Sequence, residues 1–484
     1  MALSTPITRR RAAADILVQL VGQVLNLALG IFVTVVVVRT LGDTRFGEWS
    51  TILALLQIMT MFTNLGLQNI AIRFAASEPE HEHEWLGAAV SLTAAISVPV
   101  TILSIVILET ISTSPQMRIA SILLSCTLLL TVASAMSVVF RLRVQNHVNV
   151  AFTTANSVLW GAAVFAIAAA GGGMVALAIA FLATSAAIQL AQAVYALRLM
   201  PLRLRDSKAR WRVLGRLGVA AGIGTLLTVT YGRVDQVLVF QLAPHRYEPG
   251  LYGAVYRLLE QAGFAPAAVM MTLFPIISGA YPGDPVRVRR LLQFALEGLA
   301  CVSLPTFAFA LVAPHQIVDS LFGSGLDRAS AALPVLMAAY VAICFGYVAG
   351  YMSVVTELQG RFVRFALLGL VFNVGLNLLL VPKWGFRAAA WTTLATELLV
   401  VGLELRAILV RIEMRIGLSR LAGAVLASAG GAAVVLGARL AGVPLGGLVP
   451  LMLLVYLPLV VFLGAIDVEE LRAVFTSRRG EAEA

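Results

Sequence analysis

Apolar runs of about twenty residues, parted by short polar or glycine-rich interruptions, repeat from one end of the chain to the other. At about 1.5 Å per residue, a helix of that length crosses a hydrocarbon core about 30 Å thick. Fourteen runs qualify, at roughly 14–38, 48–73, 85–109, 118–140, 149–170, 173–197, 215–242, 250–280, 290–312, 329–352, 362–381, 385–405, 421–440 and 445–466. We number them spans one to fourteen. Several connections are short, notably AGGGM at 170–174 and VPKWGFR at 381–387.

Composition settles the class. Hydrophobic residues make up 60% of the 484, charged residues only 12%, and the mean hydropathy is +0.91. Soluble domains carry about 25% charged residues, and one soluble core cannot absorb this much apolar sequence. The chain reads as an all-α polytopic membrane protein. The net charge of +10 does not point to nucleic acid, because the basic residues sit between spans and not on one soluble face.

Orientation follows from those basic residues. With the first span starting inside, 25 of the 35 Lys and Arg collect on the cytoplasmic side, eight outside, and two, Arg233 and Arg257, fall within spans. Both termini are then expected in the cytoplasm, in a bacterial inner membrane. MALSTPITRRRAAAD at the start has no small-residue cleavage site ahead of its apolar run and reads as a cytoplasmic lead into span one. The acidic loop SEPEHEHEWL, 77–86, is expected inside, although its charge runs against the trend. His81-Glu82-His83 within it reads as solvated and not as a metal site. Cys126, Cys301 and Cys344 lie in apolar runs without metal spacing and read as small packing residues.

The basic stretch RLMPLRLRDSKARWRVLGR, 198–216, follows span six and looks like a linker between two halves. GDTRFGEW at 42–49 and RYEPGLYG at 246–253 both lead into the second helix of a half. GGGMVALAIAFLAT at 171–184 matches WGFRAAAWTTLAT at 384–396. The expected organisation is an N-terminal lobe at 1–200, a cytoplasmic linker at 201–216, a C-terminal lobe at 217–412, an accessory pair of spans at 413–466 and a cytoplasmic tail at 467–484, the tail starting as an amphipathic helix. Internally repeated transporters bind substrate near midplane where their repeats meet.

The residues also resemble a family. NLALGIFVTVVVVRTLGDTRFGEW followed by NLGLQNIAIRFAA is similar to the opening of polysaccharide-biosynthesis flippases, the Wzx-like branch of the multidrug/oligosaccharidyl-lipid/polysaccharide (MOP) exporter superfamily. YGRVDQVLV, GLYGAVYRLLEQ, LFPIIS and NVGLNLLLVPKWGFRAAAWTTLATE continue the likeness in the expected order along nearly the whole chain. Ala388 departs from it, standing where such proteins usually carry Gly. The resemblance implies two six-helix lobes around a central cavity, a cargo of isoprenoid-pyrophosphate-linked sugar, a monomer, and partners among glycan-pathway glycosyltransferases or a polymerase.

A cargo of that kind needs a wet, polar, partly cationic path, and Arg suits it because its fork grips phosphate oxygens and stays charged when desolvated. Charges inside a bilayer are costly, about 2.5–3.5 kcal/mol each on insertion scales, so TLLTVTYGRVDQVLVFQL at 225–242, with Arg233 and Asp235, stands out. Two residues apart on a helix, they point nearly opposite ways. Arg257 and Glu260 in span eight share a face. Arg233 lies about 15 Å and Arg257 about 10 Å below the outer ends of their helices. Either these four form static salt bridges tying spans seven and eight, or an Arg meets the pyrophosphate while Asp235 or Glu260 serves as charge partner or senses a coupling cation. In the first lobe Asp15, Gln19, Gln23 and Asn26 recur at helical spacing, and span two adds Asn64, Gln68, Asn69 and Arg73. These amides are candidates for sugar binding or for interhelical glue. Arg73 is either a membrane-edge anchor or a receiver of pyrophosphate from the inner leaflet. Glu297, Glu397, Glu404, Asn373 and Asn377 are weaker candidates. Pro266 and Pro275 are expected to bend span eight, and Gly218/Gly222 and Gly346/Gly350 to allow close helix approach.

No nucleophile–base set, phosphate-binding loop or zinc motif appears, so the chain is expected to be a transporter without its own nucleotide hydrolysis. No cofactor is implied, and protons or sodium are the candidate coupling ions. Two alternatives remain at this stage: a peptidoglycan lipid-precursor flippase, and a MATE-like cation-coupled drug or metabolite antiporter, against which two intramembrane arginines argue. A membrane glycosyltransferase would need larger outside loops than these.

Overall fold

The computed structural model describes the backbone of residues 9–143, 146–200 and 207–465, and the side chains of 25–143, 147–200 and 209–465. The side chains of Asp15, Gln19 and Gln23, residues 201–206 of the basic linker and the tail helix expected at 467–484 lie outside the described residues. Every regular element among the described residues is helical.

Among the described residues, twelve helices are long and apolar enough to cross a membrane. Two of them, Leu25–Ser77 and Gln359–Arg411, run for 53 residues each, about 80 Å if straight and more than twice a hydrocarbon core. Each is divided by a glycine in a conformation that residues with a Cβ rarely adopt: Gly42 (φ 72°, ψ 178°) separates spans one and two, and Gly385 (φ 58°, ψ −145°) separates spans eleven and twelve. All fourteen hydropathy spans are therefore present. Outward faces are apolar, with Leu379, Val410 and Phe462 among the most exposed side chains, as lipid-facing helices require.

Three spans are interrupted. Span two breaks at Leu65 (φ 28°) and Gly66 (φ 71°), ahead of Leu67–Ser77. Span eight is divided at Gly263 into Glu248–Ala262 and Phe264–Ala280. Pro266 explains that break, since its ring displaces the carbonyl four residues earlier, whereas Pro275 sits inside an unbroken helix. Span four passes through a 3₁₀ stretch, Cys126–Leu130, between Pro115–Ser125 and the short helices Thr131–Ala135 and Val138–Leu142.

The chain forms two compact units: Met1–Arg257 with Val374–Gly385, and Leu258–Asn373 with Phe386–Ala484. Within the first, the break in span two seats on span seven. A methyl on Gly222 would come within 2.5 Å of the Leu65 carbonyl carbon, and one on Gly218 within 2.6 Å of Leu67 Cδ2. A core of Leu67, Ala71, Trp85, Leu86, Phe140 and Leu214 packs beside the acidic loop. The loop's charge is matched locally. Arg210 of the linker donates from Nε to Glu84 at 3.1 Å and lies 4.4 Å over the Trp85 ring, while Trp85 donates to Glu78 at 2.8 Å. Arg143 donates to Glu82 at 2.9 Å. An acidic loop on the basic side is thus a set of ion pairs with that side's own arginines.

In the second unit the accessory pair Leu418–Leu440 and Leu445–Phe462 packs on span nine. Ala424, Ala427, Tyr456 and Val460 enclose Cys301, whose carbonyl accepts a bond from the Tyr456 hydroxyl at 2.7 Å. Arg420 pairs with Glu297 at 3.2 Å, so that buried carboxylate ties span nine to span thirteen. Of the pair Gly346/Gly350 only Gly346 marks a close approach, with Val401 Cγ2 at 2.9 Å from an added methyl; Gly350 faces open space. Asn373 donates to Thr396 at 3.4 Å, a packing contact between spans eleven and twelve.

Candidate functional site

Glycines place the polar residues where spans one and two, and spans seven and eight, are joined. Gly250, which opens span eight, lies against the Asp43 carbonyl, and a methyl on Gly47 would stand 2.8 Å from the Gly250 nitrogen. The two related segments 42–49 and 246–253 therefore pack on each other, backbone to backbone. Close approach brings Gln236 of span seven into a bridge: its amide donates to Ser50 Oγ at 3.1 Å and to the Pro249 carbonyl at 3.0 Å. Glu48 is buried and accepts from Thr113 at 2.9 Å and Ser114 at 3.0 Å. Glu248 is buried as well, with its carboxylate against Gly385.

Below this layer lie the intramembrane charges. Asp235 is 1% exposed and accepts a bond from the Tyr252 hydroxyl. Arg233, two residues earlier, has its guanidinium carbon 5.4 Å from the centre of the Tyr256 ring, within cation–π range. The Tyr256 hydroxyl donates to the Gly232 carbonyl, which fixes the ring, and the two tyrosine rings are 5.4 Å apart. Arg257 follows Tyr256 in sequence and is half-buried. The first unit thus brings together Arg233, Asp235 and Arg257, three of the four charges singled out from sequence. Glu260, one turn past Arg257, is half-buried and belongs to the second unit. Tyr252 and Tyr256 were not singled out; their i, i+4 spacing puts two amphipathic rings on one face of span eight, and that is the signal which points to them.

The first-lobe amides divide. Asn26 donates to Thr154 at 3.2 Å, joining spans one and five, and its amide oxygen is buried without a partner among the described residues. Asn64, Gln68 and Asn69 form a chain that ends on Arg141 of span four, which donates to the amide oxygens of Gln68 and, at 3.3 Å, of Asn69. Arg73 is exposed one turn further on. Sequence reasoning had counted Arg141 only as a basic residue at the cytoplasmic edge. The side chain of Gln23 lies outside the described residues.

Comparison with known proteins agrees with this architecture. Residues 12–280 match the polysaccharide biosynthesis protein family, Polysacc_synt. A protein of Haloferax volcanii, "Probable flippase AglR", is 26% identical over 191 residues, 39% of this chain; the match spans 40% of that relative's length. Among solved structures, a lipid II flippase MurJ in an inward closed conformation has a TM-score of 0.74 at 12% identity, covering 96% of this chain and 99% of that one. An inward-facing multidrug resistance MATE family transporter of the MOP superfamily has a TM-score of 0.65 at 14% identity, covering 82% and 98%. These two share the fold. With more than half its length matched, and the spans, breaks and charged helices in the order described, the chain belongs to the polysaccharide biosynthesis protein family of multi-pass membrane proteins.

Proposed function

We propose that this protein is a flippase that carries polyprenyl-pyrophosphate-linked oligosaccharide from the inner to the outer leaflet of the cytoplasmic membrane, by alternating access of two six-helix lobes, 1–200 and 217–412. On this reading both termini are cytoplasmic, as the bias of loop arginines favours. The observation that carries the reading is the placing of two arginines at membrane depth on adjacent spans of one compact unit: Arg233 lies 5.4 Å from the ring centre of Tyr256, the residue that precedes Arg257. Two like charges at membrane depth raise each other's cost, and a diphosphate offsets both at once. Tyr256 lies within cation–π range of Arg233, and the fork of a guanidinium is suited to gripping phosphate oxygens. Asp235, locked by Tyr252, is the charge partner that keeps this part of span seven in register. A cationic drug would be repelled here, which sets the reading apart from antiport of cations. Energy comes from an ion gradient, the membrane potential or consumption of the product outside.

The test is reconstitution with a polyprenyl-pyrophosphate-linked oligosaccharide extract, following leaflet exchange by head-group accessibility. Wild type should move the lipid, and Arg233→Ala and Arg257→Ala should fold but lose most of the exchange, with Asp235→Asn affected less. Normal exchange in both arginine variants would make the charges a structural feature only.

A further inference from the structure

We infer that Arg141, with Asn64, Gln68, Asn69 and Arg73, forms a second anion site in the first unit, at the cytoplasmic end of spans two and four, which takes the diphosphate of the lipid-linked cargo before it reaches Arg233 and Arg257. This rests on the proposed function for the identity of the cargo. The polar groups themselves argue for an anion. A guanidinium can only donate, so the two amides facing Arg141 must turn their oxygens to it: Arg141 Nη1 donates to Asn69 Oδ1 at 3.3 Å and Nη2 to Gln68 Oε1. Gln68 is then left with its nitrogen, which donates to Asn64 Oδ1 at 3.3 Å. Every amide oxygen of the chain is occupied from within. What the cluster offers outward is donors: the Asn64 and Asn69 amide nitrogens and the rest of the Arg141 fork, which has five N–H groups.

Charge points the same way. Two other arginines of this edge are neutralised, Arg143 by Glu82 and Arg210 by Glu84 and Glu78. Arg141 is held by neutral amides, and among the described residues no carboxylate pairs with it or with Arg73. Arg73 lies four residues after Asn69, on the same face of Leu67–Ser77. The break at Leu65–Gly66, seated on Gly222, sets the direction of this segment and so the aim of its amides. Two uncompensated cations and a donor-only amide chain match a doubly charged diphosphate at the membrane edge.

The probes are farnesyl diphosphate, a soluble isoprenoid diphosphate, and inorganic pyrophosphate. Binding is measured by calorimetry on the purified full chain in neutral detergent and in nanodiscs with and without phosphatidylglycerol. Wild type should bind farnesyl diphosphate, and Arg141→Gln should weaken it about tenfold, the loss of a charge-assisted hydrogen bond worth about 1.5 kcal/mol. Arg141→Lys should fall between. Gln68→Glu, which supplies a carboxylate to Arg141, should weaken binding as much while the melting temperature holds. Inorganic pyrophosphate with the same dependence on Arg141 would support recognition of the diphosphate itself. Unchanged binding in Arg141→Gln and Gln68→Glu overturns this inference alone. No binding by wild type overturns it together with the proposed cargo. Loss of the Arg141 dependence when phosphatidylglycerol is present assigns the site to bulk anionic lipid and overturns it too.

Discussion

The α-carbon of Gly250 lies against the carbonyl oxygen of Asp43, with no room for a methyl between them. This joins two segments that resemble each other in sequence, each at the start of the second helix of a half. Gly250→Ala would push the two backbones apart, at a cost of about 1–3 kcal/mol for overpacking. The expected outcome is a clear fall in melting temperature, with Gly279→Ala, whose methyl would meet nothing within 4 Å, unchanged. A thermal melt of the two variants in the same detergent checks it.

Gly222 sets the seat for the break in span two, because a side chain there meets the Leu65 backbone. Gly222→Ala is expected to destabilise the first unit, while Gly215→Ala in the same helix, facing open space, should be neutral or slightly stabilising, as glycine in a helix costs about 0.5–1 kcal/mol. Hydrogen exchange across 60–75 should speed up in the first variant only.

Tyr252→Phe removes a hydroxyl donor from the buried carboxylate of Asp235. Weakening the support of a buried charge costs about 1–3 kcal/mol. Adding Asp235→Asn should recover part of the loss, since a neutral amide needs that donor less. A double-mutant cycle in melting temperature checks this, and strict additivity would rule the coupling out.

Arg210→Lys keeps the charge but loses the planar fork that both bonds Glu84 and covers Trp85. We expect the loop around residues 78–85 to loosen, seen as a red shift in tryptophan emission. Wild type should keep its emission in high salt, because partly buried pairs are screened far less than exposed ones.

Much of the architecture was legible in the chain. Hydropathy located the fourteen spans, and Gly42 and Gly385 fall in the short connections it left between them. Gly218/Gly222 could be read as a close approach, but Gly346/Gly350 has the same spacing and only Gly346 is used. The spacing of small residues tells where a neighbour can come near, and not whether one does. The charges in spans seven and eight were visible because membranes make them rare. Their aromatic supports, Tyr252 and Tyr256, were not, since tyrosine is unremarkable in an apolar helix until a charge is seen beside it.

The sequence by itself determined the class, the number of crossings and the residues whose burial in lipid is too costly to be casual, because each follows from the one-dimensional balance of apolar and polar groups. Tertiary structure alone decided the partners. It put Tyr252 on Asp235 and Tyr256 under Arg233, and it turned Arg141 from a basic residue at the membrane edge into the end of an amide chain. Hydrogen bonds between spans depend on which faces meet and at what depth, and residues 72 positions apart, such as Asn69 and Arg141, carry no local trace of their meeting.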